Sequence, residues 1–256
     1  MLPWWWISMT DRSDEPGRVD AGMAEVLRQA LSPLELPERR GVEYPADNPR
    51  LRLATALRAV LQHAATSLAD DGAFTAAADA VETAAAVLAP GPHGRPYHGS
   101  AEGAVGGAHH GFVSHSPVTG PLNALAESVK LEIGRTEVVA EITYGDAYEG
   151  PPGHLHGGMV AAIFDEVLGF AQALSGNPGM TGKLEISYRA PTPLRTPLRV
   201  VGRYERTEGR KIFTHGTIHA GDRLCAEARG LFISVAGATF SGLNEVREQR
   251  GARDPD

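Results

Sequence analysis

The chain has 256 residues, 42% hydrophobic and 21% charged, an ordinary globular composition that can bury one substantial core. A formal net charge of −7 disfavours a general nucleic-acid-binding role. No apolar run is long enough to span a bilayer, and the one cysteine, Cys225, excludes an internal disulfide and suits a reducing cytoplasm.

The opening, Met1 to Met9 with Trp4-Trp5-Trp6, lacks a basic n-region and a long apolar core, so it does not read as a signal peptide. Met9 is an alternative start. Residues 1–20 read as disordered, and residues 21–89 as a helical extension. Asn48-Pro49 is an N-cap followed by proline at the first helical position. Leu53, Leu57, Val60, Leu61, Ala64 and Leu68 then recur at helical spacing, and Asp70-Asp71-Gly72 is expected to end that helix. Phe74–Leu88 reads as a second helix, stopped by Pro90-Gly91-Pro92. The two are expected to form a hairpin packed on another part of the molecule.

Residues 90–120 are rich in Gly, His, Pro and Ser, with His93, His98, His109, His110 and His115. No carboxylate or cysteine completes a zinc spacing, so this stretch reads as a linker or lid, and no metal is expected.

From residue 121 to 238 the texture is that of strands around one helix. Val129–Gly134 and Glu137–Tyr144 read as paired strands. A Gly/Pro loop leads into an apolar helix over Gly157–Leu174. Lys183–Ala190 alternates, with Leu184, Ile186 and Tyr188 on one side. Leu198–Arg206 and Lys211–Ala220 flank the turn Thr207-Glu208-Gly209-Arg210, and Leu224–Val235 is the last strand. Beyond residue 238 the tail is polar. Short turns imply antiparallel pairing, and the helix is apolar nearly all round, so it is expected to be buried on most sides. The fold class is α+β, an antiparallel sheet wrapped around one central helix.

The segment Gly150-Pro151-Pro152-Gly153-His154-Leu155-His156-Gly157-Gly158 enters this helix. Its glycines admit close approach of a ligand, and the helix start leaves backbone N–H groups unpaired. Those are the components of an oxyanion hole. Asp165, with Glu166 beside it, stands among apolar neighbours, where an unpartnered carboxylate costs several kcal/mol. A general base or nucleophile is a reason for an acid there. Thr181, at the mouth of the next strand, is placed to orient water or to bond Asp165. Gly157 and Asp165 are eight residues apart, roughly 12 Å at about 1.5 Å per residue. One reacting carbon cannot meet both, so if both act they come from two chains paired across a twofold axis. Between Lys183 and Lys211 there are eight Lys or Arg against three Glu, a patch that suits a phosphorylated ligand or a solvated sheet face.

As a set, Glu149-Gly150-Pro151-Pro152-Gly153, His156-Gly157-Gly158, Asp165, Met180-Thr181, Tyr188 to Leu194 and Glu208-Gly209-Arg210-Lys211 resemble the PaaI-like hotdog thioesterases. The resemblance is closest to the branch with the mammalian mitochondrial long-chain acyl-CoA thioesterases, and it runs from about Gly120 to Val235. It implies hydrolysis of acyl-CoA, medium or long chain, to free acid and CoA, with no cofactor. Gly157 would polarise the thioester carbonyl, His156 would shape the loop, and Asp165 from the facing chain would act with Thr181. Gly158, His154 and Glu166 would line the substrate site, and Arg189, Arg210 and Lys211 would meet CoA phosphates. A homodimer or dimer of dimers follows, with sites at its interface. Where some relatives carry Asn six positions before the motif histidine, this chain has Gly150. Two other readings fit the same residues: a hydratase or dehydratase using His154 or His156 with Glu166, and an acyl-CoA sensor without turnover.

Overall fold

The protein is seen here in a computed structural model, which describes residues 39–40, 44–91, 114–177 and 179–234. The tryptophan-rich start, residues 10–20, His93, His98, His109, His110 and the tail beyond Gly242 lie outside these residues.

Among the described residues seven strands form one antiparallel sheet in the order β1-β2-β3-β5-β6-β7-β4. They are β1 (Arg39–Arg40), β2 (Val129–Ile133), β3 (Glu137–Ile142), β4 (Gly179–Tyr188), β5 (Leu198–Glu208), β6 (Lys211–Ala220) and β7 (Arg223–Ser234). The β5–β6 hairpin turns on Gly209, whose φ of 57° a side chain would strain. The short pair β1–β2 extends the sheet from within the stretch read as a helical extension.

Helix α3 (Gly157–Ala173) crosses the sheet and packs on β3, β4, β5, β6 and β7. Its Val160, Ile163, Phe164, Val167, Leu168 and Ala171 recur at helical spacing and are fully buried, against Val138, Val200, Ile212, Ile218 and Phe232 of the sheet. Full burial of such side chains contributes roughly 1.5–3 kcal/mol each. Close approach is permitted by glycine: Gly202 and Gly216 are paired partners on β5 and β6. A Cβ on Gly202 would stand 2.9 Å from Val167 Cγ1, and one on Gly216 would stand 3.0 Å from Leu168 Cδ2. This is the hotdog arrangement that the strand and helix order implies.

The helix is less enclosed than its composition suggests. One stripe is buried; on the other side Gly158 and Asp165 are exposed and Met159, Ala161 and Ala162 are half-buried. An apolar helix shows its own sheet one face, and the remaining apolar surface calls for other cover.

In the extension, α1 (Pro49–Thr66) is capped by the Asn48 side chain, which accepts from Arg50 N and Leu51 N. Asp70 does not end this helix. It is the N-cap of α2 (Asp71–Leu88), accepting from Ala73 N at 2.9 Å, while α1 stops at Thr66 with Ser67 extended. The hairpin is not packed as expected either: α2 buries no residue, and Leu68 is fully exposed. Only α1 docks. Its Arg58 Nη1 donates to the carbonyls of Pro121, Asn123 and Ala126, and its Gln62 bonds Glu127 and the Ala147 N–H. Residues 114–127, divided in the sequence reading between a linker and the main domain, form a strap between α1 and α3, with Ser114, Ser116 and Thr119 buried.

Candidate active site

The loop before α3 doubles back on itself because Gly150 has no side chain; a Cβ there would lie 2.7 Å from His156 Cα. His156 N donates to Tyr148 O at 2.9 Å, and Leu155 N to Thr192 O at 2.8 Å, which ties the loop to the segment after β4. His156 is the N-cap of α3, and its Nδ1 accepts from Gly158 N at 3.0 Å. The Gly158 N–H is thereby engaged. Among the described residues nothing accepts from the Gly157 N–H, as expected at the first position of a helix. His154 Nδ1 bonds Pro152 O at 2.8 Å, on the outer side of the loop.

A residue that sequence reasoning left without a role fixes this end of the helix. The Tyr188 hydroxyl, at the end of β4, donates to Gly157 O at 3.0 Å. Its signal was present: Tyr188 shares a strand face with Leu184 and Ile186, the side that meets α3.

About two turns further along, Thr181 Oγ1 donates to Asp165 Oδ1 at 2.8 Å. Thr181 is the third residue of β4 and immediately precedes a register shift that leaves Gly182 unpaired with β7. Bulges of this kind re-aim a side chain, here toward the helix. Asp165 and Thr181 are both exposed in the single chain. The burial expected of Asp165 from the sequence belongs instead, in part, to its neighbour, which is half-buried.

Glu166 turns inward. Its Oε1 accepts from Thr119 Oγ1 at 2.7 Å, and Ser116 bonds the same carboxyl. Burial raises its pKa above the ordinary glutamate range, the two hydroxyls oppose that rise, and the charge of Asp165 adds to it. Glu166 therefore does not join Asp165 and Thr181. Within one chain it bonds neither His154, which is engaged with Pro152 O, nor His156, which is engaged with Gly158 N.

The cationic candidates divide between the two ends of the sheet. Arg189 follows β4, its N–H bonds Cys225 O at one end of β7, and its guanidinium pairs with Glu227. Lys211 pairs in register with Ile233 at the other end, where Arg210 Nε donates to Ser234 O. Eight residues at about 3.3 Å separate the two groups by roughly 26 Å within one chain. Lys183, Arg195, Arg203 and Arg206 are held in exposed ion pairs with Glu185, Asp146, Glu137 and Glu208. Cys225 is wholly buried and packs as a core residue. Among the described residues no cluster of three His, Cys, Asp or Glu side chains is placed to hold a metal.

The model of the thioesterase superfamily matches residues 152–228, which take in both half-sites. The acyl-coenzyme A thioesterase THEM4 of Xenopus laevis is 37% identical over 93 residues, 36% of this chain and 42% of that protein. THEM4 of Mus musculus is 39% identical over 89 residues, 34% of this chain and 38% of that protein. The chain thus matches well under half the length of these curated relatives. A thioesterase superfamily protein of known crystal structure is 34% identical, with a TM-score of 0.64, over 74% of this chain and 97% of its own. Residues 92–256 are under two thirds of the chain, so that match necessarily runs into the helical extension. The chain belongs to the thioesterase superfamily.

Proposed function

We propose that this protein hydrolyses acyl-CoA, medium or long chain, to free acid and CoA, as a homodimer or dimer of dimers with its sites between protomers. The observation that carries the reading is the hydrogen-bonded pair Asp165–Thr181 on an open face of α3, with the unpaired Gly157 N–H roughly 12 Å away along the same helix. Two copies paired antiparallel along α3 would put each pair beside the other's Gly157. The half-buried Met159, Ala161 and Ala162 and the outer edge of β4 would be covered in the same step. Arg189 of one chain would then approach Arg210 and Lys211 of the other, giving the CoA phosphates a shared cationic setting.

In the reaction, water gives a proton to Asp165, whose other carboxylate oxygen is held by Thr181, and bonds the thioester carbon. The carbonyl oxygen takes up negative charge against the Gly157 N–H. The C–S bond breaks, and the sulfur leaves with the proton. No metal or cofactor takes part, and CoA enters as substrate. The names of the curated relatives support the substrate class. No helix among the described residues is long and apolar enough to cross a membrane, and a cytoplasmic setting suits the single buried cysteine.

Free-thiol release from acyl-CoAs of graded length, for wild type and Asp165→Ala, tests the reading. A loss of about a hundredfold in the variant is expected, the scale of a lost acid–base group. Binding without turnover by the wild type would make the protein a sensor.

A further inference from the structure

Apolar packing seats α3 on the sheet, but apolar contact is non-directional, and directional hydrogen bonds are what refine its rotation at the scale of a few degrees. Rotation matters for a side chain far from the axis. With side chains a helix is about 10–12 Å across, so a turn of about 10° moves a carboxylate by roughly 1 Å. A misplacement of that size is enough to cost about a hundredfold in rate. Consecutive residues on a helix point about 100° apart. Asp165 and Glu166 are consecutive, and each is tied by directional hydrogen bonds to a different part of the chain: Asp165 to Thr181 on β4, and Glu166 to Thr119 and Ser116 on the strap.

The strap can serve as an anchor because it is itself tightly built. Ser116 Oγ accepts from Val118 N and Thr119 N at 3.1 and 3.2 Å, and Leu122 N donates to Ser114 O at 2.9 Å. Gly120 closes the turn where no side chain fits; a Cβ would lie 2.4 Å from Ser116 N. Arg58 of α1 then grips three carbonyls between Pro121 and Ala126, at 3.0–3.2 Å. The path runs from α1 through the strap to the residue next to Asp165.

We propose that Glu166 is a positioning residue, clasped by Ser116 and Thr119 so as to fix the rotation of α3 and hence the aim of Asp165. The proposal rests on the thioesterase reading above. It also accounts for the helical extension, since α1 braces the strap on which the catalytic helix is registered.

The test is steady-state acyl-CoA hydrolysis by wild type, Glu166→Ala, Glu166→Gln, Thr119→Val and the Asp165→Ala/Glu166→Ala double variant, with melting midpoints recorded alongside. Glu166→Ala is expected to lower kcat about tenfold or more while KM moves by less than about threefold. Glu166→Gln keeps an acceptor for Thr119 and is expected to recover to within about threefold of wild type. In the Asp165→Ala background, Glu166→Ala should add no further loss, since it acts through Asp165. If Glu166→Ala does not fold, Thr119→Val decides: the variant keeps the acid, removes one donor, and is expected to lose a few-fold in kcat. Unchanged kcat in Glu166→Ala or in Thr119→Val overturns the proposal. So does an additive loss in the double variant, which marks a general structural defect, or a Glu166→Gln as weak as alanine, which marks direct chemistry. An active wild type with these outcomes sinks only the positioning role; a wild type without turnover sinks the thioesterase reading and the role together.

Discussion

On the proposed reading the first turn of α3 and its middle turn would each hold half of a hydrolytic site, and they are built by opposite means. At Gly157 the working group is a backbone N–H, exposed by an N-cap and by glycines that let the loop fold back. At Asp165 the working group is a side chain, aimed by Thr181 from beside a strand irregularity. Strand β4 ties both turns, through Tyr188 to Gly157 O and through Thr181 to Asp165. Two groups about 12 Å apart on one helix cannot meet one reacting carbon, so a site that uses both requires a second copy.

The strongest test of that difference removes each half separately and then mixes the proteins. His156 has φ −60° and ψ 134°, a conformation that suits a residue before proline, and a Cβ at position 157 meets nothing closer than 3.5 Å. Gly157→Pro therefore deletes the donor at the helical position where proline is tolerated. We expect kcat to fall by about 10²–10³, the scale of a lost oxyanion donor. Co-refolded Gly157→Pro and Asp165→Ala should regain about a quarter of wild-type activity, because half the dimers are mixed and each has one intact site. A mixture as inactive as its components would place both halves in one chain.

A smaller effect separates the two ties to β4. Thr181→Val is expected to lower kcat about tenfold, since it frees the carboxylate proposed to activate water. Tyr188→Phe should cost only a few-fold, because the Gly157 carbonyl keeps its helical hydrogen bond. Steady-state kinetics of the two variants in parallel would reverse this order if Tyr188 touched substrate.

The smallest effect concerns Glu166 and stability. Its pKa is raised in the folded state, chiefly by burial, so the native protein holds a proton that the unfolded chain releases. Its contribution is complete below the ordinary glutamate pKa and is lost as pH rises through the raised value. Glu166→Gln cannot ionise, so its melting midpoint should gain on wild type as pH climbs through that window. A constant difference across the window would mean the carboxyl titrates alike in both states.

Much of this was readable from the residues. Gly157 and the apolar run after it fixed the start and length of α3, and the glycine turn fixed the β5–β6 hairpin. Asp165 was singled out for burial, yet it is exposed, and Glu166 is the one that turns inward and is half-buried. Periodicity shows that a helix is apolar on two sides but not which side its own sheet covers. Tyr188 was legible as a face and not as a contact, because a strand pattern says nothing about reach. The strap escaped notice because Gly, Ser and His read as a linker. Its order comes from Gly120 being crowded and from Arg58, some sixty residues away, holding its carbonyls.

The paired glycines of β5 and β6 also bear on which side of α3 can yield. Where Gly202 and Gly216 face Val167 and Leu168, the contact involves strand backbone, with no strand side chain to swing aside. That side of α3 is stiff by construction. If the proposed substrate enters here, widening is expected on the face of α3 that the sheet leaves uncovered, where Met159, Ala161 and Ala162 are half-buried.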